Sequence, residues 1–177
     1  MPQGLKRFQE TGQSHFVTFS CYHRLPKLTN STACQVFLEM LELARKRLGI
    51  RIYGYVLMPE HVHLLLSEPE SVTLASALRS VKLSTAKQIH AHSSAADGDP
   101  FWQARYYDRN IRDYCEFVVK LRYLHRNPVK RGLCQSPEQW PWSSFQHYLT
   151  GAPGIVEIES EWTAKRRRSL SLSALPG

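Results

Sequence analysis

Apolar and polar residues follow two different periods along the chain, and the alternation between them predicts strands and helices in turn. Runs rich in β-branched and aromatic residues predict strands, whereas apolar residues spaced three and four apart predict helices. The predicted elements are a strand over residues 15–22, a helix over 32–48, strands over 50–58 and 61–67, a helix over 72–90, a strand over 106–110 and a helix over 113–127. This order predicts an α+β fold.

The order of the first six elements is β-α-β-β-α-β, which is typical of a ferredoxin-like antiparallel sheet with helices on one face. The last element then adds a C-terminal helix. Asn30 can cap the start of the first helix, and Gly49 can end it. Asp113 predicts the start of the last helix. Pro128 disfavours helical geometry in the residue before it, so we expect this helix to end near Asn127.

The chain of 177 residues suits one domain with a core of its own, which we place at residues 1–150. Residues 91–100 are small and polar and predict a flexible loop. Residues 151–177 contain the basic run KRRR and many small residues. We expect them to form a basic, loosely attached tail.

Charge narrows the choice of partner. The chain has 23 Lys and Arg against 15 Asp and Glu, a net charge of +8, which favours nucleic acid over a membrane surface. No apolar run is long enough to span a bilayer. The polar N-terminus lacks the apolar core of a signal peptide, so we expect a cytoplasmic protein that binds no membrane. Its four cysteines lack C-x-x-C spacing and are expected to be free thiols.

Two histidines in an apolar strand are the strongest chemical signal. His61 and His63 flank Val62, and residues two apart on a strand project from the same face. Both rings could then reach one cation. Hydrogen-bonded structural histidines are the alternative, because short motifs of this kind produce false matches.

The last predicted helix carries a second signal. At 100° per residue, Tyr114 falls on the apolar stripe with the core residues, whereas Tyr123 falls almost opposite. Lys120 and Asn127 lie on the same outer face as Tyr123. A tyrosine hydroxyl can attack phosphorus when a base, a metal or nearby charge activates it. Packing on a tail or partner remains the alternative for Tyr123.

These residues together resemble a known family. HVH at 61–63 resembles the HUH motif, in which U is hydrophobic, and the tyrosine and amide of YLHRN resemble the matching element of single-tyrosine HUH transposases. VLMPEHVH at 56–63, YLHRNPVKRGL at 123–133 and WPWSS at 140–144 are similar to REP-associated tyrosine transposases. The likeness covers about residues 14–148.

The resemblance implies a nuclease that needs Mg²⁺ or Mn²⁺ and cuts single-stranded DNA through a 5′-phosphotyrosine intermediate. His61 and His63 would be metal ligands, Asn127 the third ligand, and Tyr123 the nucleophile, with Lys120 steadying phosphate or phenolate. Glutamine is common at the position of Asn127 in the wider insertion-sequence branch. The implied partner is a hairpin-forming REP-like palindrome, and the protein would act as a monomer or a homodimer.

Basic and aromatic residues are candidates for DNA contact. Arginines and lysines can bind phosphates, and aromatic rings can stack on unpaired bases. The candidates are Arg79, Lys82, Trp102, Arg105, Tyr106, Tyr107, Arg112, Lys130 and Arg131. Two alternative functions stay open: a domesticated, non-catalytic nucleic-acid-binding protein with the same fold, and a metal-dependent hydrolase in which Tyr123 is incidental.

Overall fold

A computed structural model describes residues 13–92 and 98–173. In this part of the chain the strands and α-helices are β1 Ser14–Cys21, α1 Ser31–Leu48, β2 Ile52–Leu57, β3 His61–Ser67, α2 Leu74–Ala91, β4 Trp102–Asn110, α3 Tyr114–Lys130, α4 Phe145–Thr150 and α5 Glu161–Ser173. The first seven follow the predicted order. Parts of the predicted N-terminus, loop and tail, at residues 1–12, 93–97 and 174–177, lie outside the described residues.

The four strands form one sheet in the order β2-β3-β1-β4, and every neighbouring pair is antiparallel. This is the strand order of the predicted ferredoxin-like fold, which is thereby confirmed. The central strands β1 and β3 pair over their whole length, with Thr18 opposite His63 and Ser20 opposite His61. On its other edge β1 pairs with β4, where Tyr107 lies opposite Thr18.

Side-chain alternation gives the sheet two buried faces. On one face, Val62 and Leu64 of β3 lie in the main core, which α1 and α2 cover. On the other face, Leu65 of β3 and Phe16 of β1 pack in a second, smaller core with Leu124 of α3. His61 and His63 alternate with Val62 and Leu64, so they belong to the face that α3 covers.

Helix α3 extends further than predicted. It runs to Lys130 and contains Pro128, so the expected end near Asn127 is wrong. Proline lacks an N–H and removes one helical hydrogen bond, but it stands so near the end that the last turn still closes. The backbone N–H of Arg131 donates to the carbonyl of Asn127 at 3.0 Å. Asn127 therefore lies inside the helix, one turn after Tyr123.

The start of α3 also differs from expectation. Tyr114 was assigned to the core stripe, but 79% of its surface is exposed, so that assignment is wrong. The neighbouring Cys115 is exposed too, which shows that the first turn has no cover. The Tyr114 ring instead stacks on Phe117 with centroids 6.3 Å apart. Full burial is reached only at Leu124.

The segment after residue 150 is not a loose tail over most of its described length. Val156 and Ile158 lie in the main core, and the backbone N–H of Glu159 donates to the carbonyl of Ile52 at 2.7 Å. Helix α5 is held by Arg167, which pairs with the carboxylate of Glu159. The expectation of loose attachment was based on small and basic residues and overlooked these two apolar side chains. None of the helices described is long and apolar enough to cross a membrane.

Candidate active site

The paired histidines of β3 lie close together between the sheet and α3. The rings of His61 and His63 meet edge to face with centroids 4.6 Å apart, and their Nε2 atoms are 3.0 Å apart. Both side chains are buried, with 4% and 5% of their surface exposed. The prediction that both project from one strand face is confirmed.

The other ring nitrogen of each histidine has its own partner. Nδ1 of His61 lies 3.0 Å from Oε1 of Glu60, and because a carboxylate only accepts hydrogen bonds, the imidazole N–H donates. Nδ1 of His63 lies 2.6 Å from the hydroxyl oxygen of Thr18. Both partners fix ring orientation, and the carboxylate, which cannot donate, also fixes the tautomer of His61. The proton of neutral His61 therefore lies on Nδ1, and the lone pair of its Nε2 faces His63.

Burial keeps both imidazoles neutral. Burial and the neighbouring His61 lower the pKa of His63 to about 3. Burial also lowers the pKa of His61, and the charge of Glu60 offsets this only in part. Burial acts to raise the pKa of Glu60, but its hydrogen bond from Arg131 and the proximity of His61 outweigh it, so this pKa is lowered. At neutral pH, the imidazoles of His61 and His63 are therefore neutral, and the carboxylate of Glu60 beside them is ionised.

Asn127 of α3 completes the cluster from the other side. Its side-chain amide nitrogen lies 3.2 Å from Nε2 of His63, and 7% of the residue is exposed. It was expected on the outer face of the helix, and that placement is wrong because Asn127, like Leu124 and Pro128, lies on the buried side of the last turns of α3. A half-turn of the side-chain amide exchanges the positions of its oxygen and nitrogen. Asn127 can therefore present either atom to the histidines.

The separation of the two histidine nitrogens is compatible with a divalent cation. Two ligands about 2.1 Å from one cation and at right angles are about 3.0 Å apart, which is the separation of the two Nε2 atoms. Nowhere in residues 13–92 and 98–173 do three His, Cys, Asp or Glu side chains form a metal-binding group. The side-chain amide of Asn127 is the group beside the pair that could supply a third protein ligand.

Tyr123 lies beside this cluster. Its ring meets that of His63 edge to face with centroids 5.4 Å apart, and 39% of the residue is exposed. Nζ of Lys120 lies 5.7 Å and Nζ of Lys130 5.6 Å from the centroid of the Tyr123 ring. Tyr123 and Lys120 thus lie on the flank of α3 next to the sheet, and not on its outer face as expected. One aromatic hydroxyl, two cations and two imidazoles share a partly open site.

Several of the predicted DNA contacts lie on this side of the sheet. Tyr107 is 42% exposed, and it extends the row of Thr18 and His63 across the strands. Arg105 is exposed two residues before it, in the part of β4 where the register with β1 shifts. Lys130 follows Tyr123 on α3, and Arg112 is exposed just before that helix.

Other residues that were predicted to contact DNA make contacts within the protein instead. Trp102 is 7% exposed and packs against Phe19 in the main core, so its predicted stacking on a base is wrong. Tyr106 packs against the same core. Nζ of Lys82 donates to the backbone carbonyls of residues 103 and 104, which attaches α2 to β4. Lys82 and the exposed Arg79 both lie on α2, across the sheet from the histidines.

Sequence reasoning did not identify the partners of the histidines. Thr18 reaches His63 only through strand pairing, so no local pattern marks it. Glu60 could have been noticed, because a carboxylate directly precedes His61 at the start of β3. Arg131 was predicted to contact DNA, yet its Nη1 donates to Oε1 of Glu60 at 2.8 Å. The arginine thus belongs to the cluster itself.

The chain matches a family model, curated proteins and solved structures. The model of the family described as "Transposase IS200 like" matches residues 9–127. The REP-associated tyrosine transposase of Escherichia coli strain K12 is 26% identical over 155 residues, which cover 87% of this chain and 88% of that protein. A solved structure of a REP-associated tyrosine transposase bound to a REP hairpin has a TM-score of 0.70 at 23% identity, covering 90% of this chain and 93% of that one. The resemblance to REP-associated tyrosine transposases is confirmed.

Proposed function

Because this chain belongs to the IS200-like transposase family, we propose that it cleaves single-stranded DNA with Tyr123 as the nucleophile and transfers the resulting end. The observation that supports this most strongly is the proximity of Tyr123 to the histidine pair, at 5.4 Å between the rings of Tyr123 and His63. A transposase needs a nucleophile beside groups that can stabilise charge on phosphate. This site brings both together.

We propose that His61, His63 and Asn127 hold Mg²⁺ or Mn²⁺. When bound, the cation would supply positive charge to a phosphodiester oxygen as negative charge develops there. The chain's contribution is to hold the two imidazoles neutral, through burial, and correctly turned, through Glu60 and Thr18. Neutral imidazole is the form that binds metal.

The proposed reaction is an exchange of phosphodiester bonds. The hydroxyl oxygen of Tyr123 bonds to phosphorus, and the bond from phosphorus to the 3′-oxygen breaks. The phenolic proton is lost and the departing 3′-oxygen gains one, so that a 5′-phosphotyrosine and a free 3′-hydroxyl result. Lys120 and Lys130 flank the ring of Tyr123 and would stabilise the phenolate and the phosphate by charge. Attack by the new 3′-hydroxyl, or by another, reverses the bond exchange and transfers the strand.

The proposed substrate is a DNA hairpin with a single-stranded flank. The net charge of +8 suits a polyanion. Tyr107, exposed on the histidine face of β4, would contact an unpaired base, and the nearby exposed Arg105 would contact the backbone, as the strand enters the site. The solved relative, which shares this fold, is bound to a REP hairpin. A palindromic repeat of that kind is therefore the substrate to test first.

A denaturing gel tests the function. The protein is incubated with Mn²⁺ and a hairpin oligonucleotide labelled at its 3′ end, because that end stays on the protein in a 5′-phosphotyrosine. We expect a labelled protein band with the wild type and with Tyr114→Phe, and none with Tyr123→Phe. Cleavage without a protein band would indicate a hydrolase, and binding without cleavage would indicate a non-catalytic DNA-binding protein. Either result would overturn the proposal.

A further inference from the structure

Glu60 connects the histidine pair to two arginines that come from distant parts of the chain. One oxygen atom, Oε1, lies 3.0 Å from Nδ1 of His61, 2.8 Å from Nη1 of Arg131 and 3.4 Å from Nη2 of Arg24. The side chain of Glu60 is 11% exposed, whereas those of Arg131 and Arg24 are 47% and 62% exposed. The arginines therefore cover Glu60 from the solvent side.

The backbone of Glu60 is fixed as firmly as its side chain. The carbonyl of Glu60 accepts a hydrogen bond from the backbone N–H of Cys21 at 2.9 Å, and the carbonyl of Pro59 accepts one from Leu28 at 2.9 Å. The turn before β3 is thus held against the end of β1. A carboxylate placed in this way cannot follow a rotating imidazole, so the imidazole must adapt to the carboxylate.

We propose that Glu60 is a positioning residue that selects the Nδ1–H tautomer of His61, and that Arg131 holds Glu60 in place for this purpose. This inference rests on the proposed function, because it assigns the Nε2 lone pair of His61 to a cation. Without Glu60, the proton of His61 could move to Nε2, the nitrogen that lies 3.0 Å from His63. A protonated Nε2 cannot be a ligand.

When no cation is bound, a chain of hydrogen bonds can join the two histidines, and this chain shows why the tautomer of His61 must be selected. His63 can donate from Nε2 to Nε2 of His61 while its Nδ1 accepts from the hydroxyl of Thr18, since the hydroxyl can donate or accept. This chain needs no cation, but it still requires the Nδ1–H tautomer of His61. With Glu60 in place, His61 keeps its proton on Nδ1. Only the proton of His63 must then move, from Nε2 to Nδ1, when a cation binds. Loss of Glu60 would add a second tautomer change to metal binding.

The same contacts give Arg131 a role other than DNA binding. Its neighbour Lys130 approaches the ring of Tyr123 at 5.6 Å, whereas Arg131 turns to Glu60. Removing Arg131 should therefore weaken metal binding even when no DNA is present. Removing Arg126, an exposed arginine of the same helix, should not, which makes Arg126→Gln the matched control.

Two measurements on the DNA-free protein test the proposal. Long-range ¹H–¹⁵N correlation spectra report which nitrogen of His61 carries the proton; we expect Nδ1 in the wild type and a mixture in Glu60→Gln. Mn²⁺ titration followed by electron paramagnetic resonance should show a Kd about 10–100-fold weaker in Glu60→Gln, the usual effect of losing a partner of a metal ligand. Arg131→Gln should weaken the Kd as well, by less. The double variant should be weaker by less than the product of the two effects.

Glu68→Gln is the control for Glu60→Gln, because Glu68 also binds an imidazole, Nε2 of His15 at 2.9 Å, but outside the site. Its Mn²⁺ affinity should equal that of the wild type. Wild-type His61 protonated on Nε2, or an unchanged Kd in Glu60→Gln, would overturn the role of Glu60 while leaving the proposed function standing. If the tautomer of His61 and the Mn²⁺ affinity change as expected but the wild type forms no DNA adduct, the role of Glu60 is supported and the proposed function is overturned. Independent effects of Glu60→Gln and Arg131→Gln would overturn the role of Arg131.

Discussion

His15 and the His61–His63 pair are buried in the same sheet and have opposite surroundings. Both nitrogens of His15 face carboxylates, with Nδ1 2.7 Å from Asp108 and Nε2 2.9 Å from Glu68. Burial acts to lower the pKa of His15, but the hydrogen bonds and charges of the two carboxylates outweigh it and raise the pKa. In the pair, one nitrogen of each ring faces the other ring, and the pKa of both is lowered.

The difference shows what decides the role of a buried histidine. A ring with acceptors at both nitrogens becomes a cation that joins β1, β4 and the end of β3. A ring with a carboxylate at one nitrogen, as in His61, or at neither, as in His63, stays neutral, and a lone pair of one of its nitrogens can serve a ligand. We therefore expect the loss of His15 to affect stability, and the loss of the pair to affect chemistry.

The largest effect should follow removal of the pair. We expect the double change His61→Ala and His63→Ala to lower the rate of covalent adduct formation about 1000-fold or more, because metal-ion catalysis contributes on the order of 4 kcal/mol to such reactions. Circular dichroism should show that the protein is still folded. An adduct formed at the wild-type rate would contradict both the metal site and the comparison with His15.

His15→Ala should produce the opposite outcome. It leaves the carboxylates of Asp108 and Glu68 without their shared cation, and breaking a buried ion pair in this way costs about 3–5 kcal/mol of unfolding free energy. Urea denaturation measures this loss, with the exposed His90→Ala as the control. The rate of adduct formation per folded molecule should stay unchanged. A cost under about 1 kcal/mol would show that His15 is not the cation we infer.

His125 extends the comparison to a buried neutral histidine outside the proposed site. Its Nε2 lies 2.7 Å from the hydroxyl oxygen of Ser144, and burial lowers its pKa to about 4. Below about pH 6.5 the unfolded chain binds a proton at this residue that the native state does not bind, so stability falls as pH falls, by up to about 1.4 kcal/mol per pH unit. Relative to His125→Gln, the wild type should therefore lose about 2 kcal/mol of unfolding free energy between pH 7 and pH 5. A constant difference between the two proteins would refute this.

The smallest effect is expected for the stability of Tyr123→Phe. The residue is 39% exposed, and only its hydroxyl is removed, so the unfolding free energy should change by no more than about 0.5 kcal/mol. Urea denaturation of this variant beside Tyr114→Phe, which is 79% exposed, measures it. A loss above about 1.5 kcal/mol would mean that the hydroxyl has a structural role in addition to any catalytic one.

The sequence predicts the fold well where side-chain period decides the structure. The bounds of β3 were predicted as observed, and α1 begins and ends at its capping residues Asn30 and Gly49. Local rules failed where packing outweighs them. Helix α3 continues past Pro128. Ile158 belongs to the segment predicted to be a loose tail, yet it packs in the main core.

The candidate site was predictable in part for the same reason. His61, His63, Tyr123 and Asn127 carry their chemistry in their own side chains and their spacing. Thr18 and Arg131 acquire their roles only through contacts with residues 45 and 71 positions away, which no local pattern can predict. Trp102 shows the reverse error, since an aromatic residue in a basic segment proved to be part of the core.

The most direct test of the account is to locate the covalent bond. Wild-type protein is allowed to react with Mn²⁺ and a 3′-labelled hairpin oligonucleotide, the adduct is digested with a protease and a nuclease, and the modified peptide is sequenced by mass spectrometry. The account predicts a nucleotide remnant linked through a 5′-phosphate to Tyr123, and no adduct in Tyr123→Phe. A remnant on Tyr107 or Tyr114, or an undiminished adduct in Tyr123→Phe, would contradict it.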